Sequence, residues 1–152
     1  MASGNQHDKA TLLWSLPFGI AIASVFGLKN GFIGSLAFIF GGLWLSPDLD
    51  TRSNSFNRWG LLRIFWVPYS YLIPHRSILS HGPIIGSLLR ISYLIIIIAL
   101  GFYICQNYGL ISNAKTMLIL EQIMKINHNE LIVMIIGVEA SSWLHLIQDG
   151  DP

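Results

Sequence analysis

Tyr93-Leu-Ile-Ile-Ile-Ile-Ala-Leu-Gly-Phe102 runs for ten residues without a charge, inside an apolar segment covering residues 83–104 whose one charge is Arg90. A stretch this long and this apolar reads as a membrane-spanning helix, because a buried strand or core helix does not need such length. Three other segments read the same way, at residues 12–28, 32–45 and 131–147. Some lie near the short end of the usual ~17–25 residues. Pro17, Gly19, Gly41 and Gly42 fall inside them, as is common in membrane helices, and Gly34, Ser35, Gly41 and Gly42 would let helices approach closely.

Composition agrees. The 152 residues are 53% hydrophobic and 11% charged, with a mean hydropathy of +0.57. Nine Lys and Arg and eight Asp and Glu are too few to cover the surface of a soluble domain, where roughly 25% of residues are charged. A net charge of +1 supplies no field to gather nucleic acid. The lone Cys105 excludes a disulfide framework and a cysteine zinc site. The polar start lacks the cationic and apolar regions of a cleaved signal, so the first apolar segment is expected to remain as a span.

Between the second and third spans, residues 59–72 read as a short interfacial helix. Trp59, Phe65, Trp66, Tyr69 and Tyr71 would form an aromatic belt there, with Arg58 and Arg63 as anchors. Residues 112–126 read as a second amphipathic helix carrying Glu121 and Lys125 at i,i+4 spacing. Asn129 is the expected cap of span four, with Glu130 in its first turn. The expected fold is therefore all-α: one polytopic domain over residues 1–152, with about four transmembrane helices and one or two interfacial ones.

Counting spans sorts the polar residues by side. His7 precedes the first span, and Asp48 and Asp50 follow the second. His75 and His81 precede the third, and His145 and Asp149 end the fourth. All seven fall on one face, while His128 falls on the other. Lys9, Arg52, Arg58, Arg63 and Arg76 share the face of the seven, against Lys29, Lys115 and Lys125 opposite. This excess points to the cytoplasmic side for the site and both termini.

Imidazole and carboxylate gathered at one place suit a divalent metal, zinc first, with manganese or iron as alternatives. His145 and Asp149, at i and i+4, share a helix face and can bind one ion. Asp48 and Asp50 alternate across a turn. His75-Arg-Ser-Ile-Leu-Ser-His81 is the densest polar feature. Four His and three Asp exceed the needs of one tetrahedral ion, so one or two ions are expected, and a two-metal hydrolytic site would use them all. Arg76 and Arg90 are expected to hold a carboxylate or an anionic substrate group. Glu139, midway along span four, is expected as a protonated structural group, a partner of Ser142 or an acid behind the ligands. With the two arginines it completes the candidate catalytic set.

The order His7, Pro47-Asp-Leu-Asp50, His75 to His81 and His145-x-x-x-Asp149 resembles the YdjM-like membrane-bound metal-dependent hydrolases. It is more similar still to a group of cyanobacterial metal-binding membrane proteins of unknown function. That group shares the Ser-Gly-x-x-His-Asp start, the Trp-Ser-Leu-Pro first span and the His-Arg-Ser-x-x-Ser-His-Gly-Pro motif. The resemblance covers nearly the whole chain. It implies a helical membrane domain, plasma or thylakoid, with metal ligands at His7, Asp48, Asp50, His75, His81, His145 and Asp149. A more distant likeness of ligand pattern to zinc-dependent phospholipases C implies phosphoester or lipid-headgroup substrates. Ser77 and Ser80 stand where the commoner form of the motif has Gly and Thr. The alternative is a non-catalytic subunit or assembly factor of a membrane complex, photosynthetic in a cyanobacterium, with metal stapling helix ends together. Membrane lipid and such a complex are the expected partners; nucleic acid is not. A transporter fits least, since few polar residues lie mid-span.

Overall fold

A computed structural model describes residues 2–150. Eight α-helices follow one another: α1 (Gly4–Phe26), α2 (Leu28–Leu43), α3 (Asn54–Arg58), α4 (Val67–Leu72), α5 (Ile78–His81), α6 (Ile85–Asn107), α7 (Asn113–Met124) and α8 (His128–Asp149). Two 3-10 turns, Pro47–Asp50 and Gly60–Trp66, join them, and no strand occurs among the described residues. Four segments are long and apolar enough to cross a membrane: Gly4–Phe26, Leu28–Asp50, Ile85–Asn107 and His128–Asp149.

The first helix starts at Gly4, well before residue 12, because its opening turns are polar without being a tail. The Gln6 side chain reaches back to the Ser3 N–H (2.7 Å) and fixes the start. His7, Thr11 and Ser15, one turn apart, are all buried and put a polar stripe toward the bundle. Helix α8 likewise starts earlier than expected. Asn127 is its cap, accepting from the Asn129 N–H at 2.9 Å, so Asn129 is the recipient of the cap and not the cap itself.

Helices α1, α2 and α8 form the packed core of the bundle. Gly27 alone separates α1 from α2, so the two run antiparallel. Lys29 and Glu130, at the starts of α2 and α8, form an ion pair, and both helices end at the same pole. Ser35 donates to the Ser15 carbonyl across α1 and α2 at 2.9 Å. Helices α2 and α8 meet through glycine. A Cβ at Gly41 would lie 2.3 Å from Ser141 Oγ, and one at Gly137 would lie 2.7 Å from the Gly34 carbonyl. Small residues thus let the backbones touch.

Residues 46–84 fold back over the pole where α2 and α8 end. The segment expected as one interfacial helix is a 3-10 turn running into α4, and its aromatics do not all form a belt. Trp66 and Tyr69 are core residues, each 2% exposed, packed with Leu45, Leu49 and Phe56. Trp66 stacks edge-on against Tyr69, and Trp59 and Tyr93 tilt against Trp66. The spacing i, i+3 puts Trp66 and Tyr69 on one side of the chain, whereas Tyr71 faces out. Arg58 clamps this cap to α1 through an ion pair with Asp8, and it also donates to the Leu43 carbonyl.

The distribution of polarity is inverted relative to a water-soluble protein. The buried residues of α6 are Gly86, Ser87 and Arg90, while Ile95, Ile96 and Ile98 point outward. Helix α7 has no buried residue; its Lys125 and Glu121 pair at 2.7 Å as their spacing predicted.

Candidate metal centre

Each donor is delivered by a local device. Asp48 and Asp50 sit on the 3-10 turn that ends the second apolar segment, where Pro47 is pre-set for the first turn and the Ser46 hydroxyl accepts from the Asp48 N–H. His145 and Asp149 lie on the last turns of α8, which closes on Gly150 in the left-handed conformation that glycine favours (φ 70°). His81 ends the single turn α5. His7 is in the opening turns of α1.

Contacts join all seven into one network at one pole. His7 Nε2 lies 3.1 Å from Asp149 Oδ1, and Asp149 Oδ2 lies 3.6 Å from His145 Nε2. His145 Nε2 is 3.5 Å and His81 Nε2 3.8 Å from Asp48 Oδ1. His81 Nδ1 is 3.7 Å from Asp50 Oδ2, and His75 Nδ1 is 3.0 Å from Asp50 Oδ1. Two groups are tight enough to hold an ion. Asp48, His81, His145 and Asp149 have ligand atoms within 4.8 Å of one another, and so do Asp50, His75 and His81.

The first group fits a metal on its own geometry. Nε2 of His81 and Nε2 of His145 are both buried without a hydrogen-bond partner, although such atoms are normally satisfied. Both face the same Asp48 oxygen. His81 has its other nitrogen 2.9 Å from Ser80 Oγ, and that hydroxyl is also 3.2 Å from the Pro74 and Ser77 carbonyls. A hydroxyl has one proton, which those carbonyls claim, so it accepts from His81 Nδ1–H. This leaves the Nε2 lone pair free toward Asp48 and Asp149. Burial lowers the His81 pKa below the ordinary imidazole value, against the opposing pull of Asp50 and Asp48, which favours the neutral, ligating form.

One imidazole cannot offer Nδ1 as donor to Ser80 and as ligand to a second ion. The two groups share His81 and therefore compete for it. In the second group what remains is a pair: both Asp50 oxygens lie about His75 Nδ1, at 3.0 and 3.1 Å. The Asp50 side chain is fully buried while that of His75 is 46% exposed.

The other predicted residues fall around this centre in different ways. His7 belongs to neither group. It stacks on His145 with ring centroids 3.8 Å apart, and its Nδ1 meets Gln148 Oε1 at 2.6 Å, so it braces Asp149 and His145. Arg76, at φ 58°, reaches Asp149 Oδ2 at 3.9 Å from a partly exposed position. Arg90, expected to meet a carboxylate or substrate, is 1% exposed and donates to the Ser80 carbonyl and the hydroxyls of Ser87 and Ser142. Glu139 stands in neither group. Its Oε1 accepts from the Ile84 N–H (2.8 Å) and from Trp143 Nε1 (2.7 Å), not from Ser142. It lines an apolar groove of about 1090 Å³ together with residues of α1, α6 and α8.

Sequence reasoning passed over Ser80 and Gln148 as partners of the histidines, and Ser87 as a partner of Arg90. A signal existed for the last: Ser87 and Arg90 are polar at i,i+3 in an otherwise apolar helix, a spacing that puts both on one face.

A family model described as "Uncharacterized metal-binding protein (DUF2227)" matches residues 2–151. No curated protein and no solved structure matches the chain.

Proposed function

The chain belongs to the uncharacterized metal-binding protein family (DUF2227); from that membership and the donor cluster we propose that it binds one divalent ion, and from the His75–Asp50 pair beside the cluster that it is a hydrolase integral to the membrane. Asp48, His81, His145 and Asp149 would hold the ion. Two imidazoles and two carboxylates suit zinc first, with manganese or iron as alternatives. When bound, a divalent ion supplies a Lewis acid and a water of lowered pKa. The substrates are phosphoesters at the cytoplasmic membrane face, lipid headgroups among them, in keeping with the distant likeness of ligand pattern to zinc-dependent phospholipases C. Membrane insertion is supported by the inverted polarity, since exposed isoleucine and leucine need lipid and buried serine, histidine and arginine need each other.

One observation carries the catalytic reading: the His75–Asp50 pair beside the donor cluster. Asp50 takes the Nδ1–H of His75 and so fixes its tautomer, leaving Nε2 as a base on the exposed side. The ring of His75 stands edge-on to that of His81 with centroids 5.4 Å apart, so the base is one ring away from a ligand. Arg76, beside Asp149, adds positive charge for a phosphoryl oxygen.

A second reading has its own support. The four donors alone would fill a four-coordinate shell, as the ligands of structural zinc sites do. They come from the end of the second apolar segment, from α5 and from α8, so an ion would staple those elements. The protein would then serve as a subunit or assembly factor of a membrane complex, in a plasma or thylakoid membrane. His75→Gln separates the two. The hydrolase reading expects unchanged metal content by elemental mass spectrometry and a phosphodiesterase rate down by about 10²–10⁴-fold. Full metal content with no hydrolysis of phospholipid or bis-aryl phosphates by the parent protein would leave the staple.

A further inference from the structure

We propose that Arg90 is a positioning residue for the metal centre, holding through the Ser80 carbonyl the turn that aims His81 Nε2 at the donor cluster. This rests on the metal reading above and adds to it a residue that touches neither metal nor substrate.

The placement of Arg90 is unusual. Its guanidinium is 1% exposed on a helix whose other buried residues are Gly86 and Ser87. Nη1 donates to the Ser80 carbonyl at 2.6 Å, Nη2 to Ser142 Oγ at 2.9 Å and to Ser87 Oγ at 3.0 Å, and Nε is buried without a partner. Its three short hydrogen bonds go to serine oxygens, the buried Tyr69 hydroxyl also faces it, and none goes to a carboxylate. A permanently charged group buried this way is costly, and such groups inside apolar helices mark function by default.

The role follows from what it grips. Helix α5 is a single turn of four residues, too short to hold itself, and its last carbonyls have no partner within the helix. Arg90 supplies one for Ser80, with the charge sign that suits a helix C-terminus. Ser80 is fully buried, and its hydroxyl is the acceptor that fixes the His81 tautomer. One residue is therefore held by its carbonyl and orients the ligand by its hydroxyl. Gly86 gives a separate sign of the same device. A Cβ there would lie 2.6 Å from the Ser80 carbonyl and 3.2 Å from Arg90 Nη1, so glycine leaves the space in which that contact is made.

The test uses cobalt(II), whose visible absorption reports ligand geometry, titrated into the detergent-purified full chain and followed by spectroscopy and calorimetry. The proteins are the parent, Arg90→Lys, Ser80→Ala and the double variant, each checked for helix content and melting without metal. Arg90→Lys and Ser80→Ala are each expected to weaken cobalt affinity by about 10–100-fold and to shift the absorption band. The double variant should lose less affinity than the two singles summed, because the arginine acts by holding the residue that carries the hydroxyl. A merely structural arginine would lower apo melting yet leave band and affinity unchanged, and that result overturns the proposal, as does strict additivity. If Arg90→Lys does not fold, Gly86→Ala, which crowds the carbonyl that Arg90 grips, decides, and parent-like binding in it overturns the proposal. A parent protein that binds no cobalt removes the metal reading itself, and this proposal with it.

Discussion

Nε2 of His81 and Nε2 of His145 are the two atoms on which the site turns, because both are buried without a hydrogen bond and face carboxylate oxygens only at 3.5–3.8 Å. Each would be a defect in a protein without a metal. At this scale the sign of one pH effect can be worked out. Burial holds the His81 pKa below its usual value of about 6.5; Asp50 and Asp48 pull it up in part, and His145 and His75 push it down. On acidification the unfolded chain therefore takes this proton first. His81 contributes stability above pH ~6.5 and loses it as pH falls from there toward its folded value. Metal-free protein unfolded by denaturant at pH 7.5, 6.5 and 5.5 should lose stability stepwise, and His81→Gln should flatten the trend. A parent protein that gains stability over that range would sink this account.

At the scale of elements, the contact that matters is α2 against α8. Asp48 follows one and His145 rides on the other, so the distance between backbones sets the distance between donors. Gly137 packs against the Gly34 carbonyl and Ala37, with only 2.7 and 2.9 Å available to a Cβ. Gly137→Leu should wedge the helices apart, destabilising by about 1–3 kcal/mol or more. Metal affinity should fall by at least tenfold while circular dichroism keeps its helical signature. Parent-like affinity in that variant would show that the donors are set by the cap over residues 46–84 and not by the helix pair. Sequence reading reached this level in part. It named Gly34 and Gly41 as points of close approach, because small residues in apolar helices have few other uses. It missed the inward packing of Trp66 and Tyr69, since an aromatic belt and an aromatic core have the same composition.

For the molecule as a whole, the prediction concerns sidedness. In a Cys105→Ser background, single cysteines at Ser53 and at Asn129 should react with an impermeant maleimide from opposite faces of sealed vesicles. Ser53 lies near the donor pole and Asn129 at the start of α8, the other pole. Ser53 is expected to be the cytoplasmic one. Labelling of both from one side would remove the spanning arrangement of α8. Sequence by itself determined the helical class, the four apolar segments and the gathering of His7, Asp48, Asp50, His75, His81, His145 and Asp149. Hydrophobic length and the parity of crossings are one-dimensional properties, legible along a chain. Only the tertiary structure decided which of the seven face one another, that His7 meets Gln148 and Asp149 where Nε2 of His81 and of His145 is left without a hydrogen bond, and that Arg90 is enclosed among serines where a carboxylate or an anionic substrate group was expected. Those outcomes depend on side-chain direction, on tautomers set by a neighbouring serine and on the space a missing Cβ leaves, and none of these exists until the helices pack.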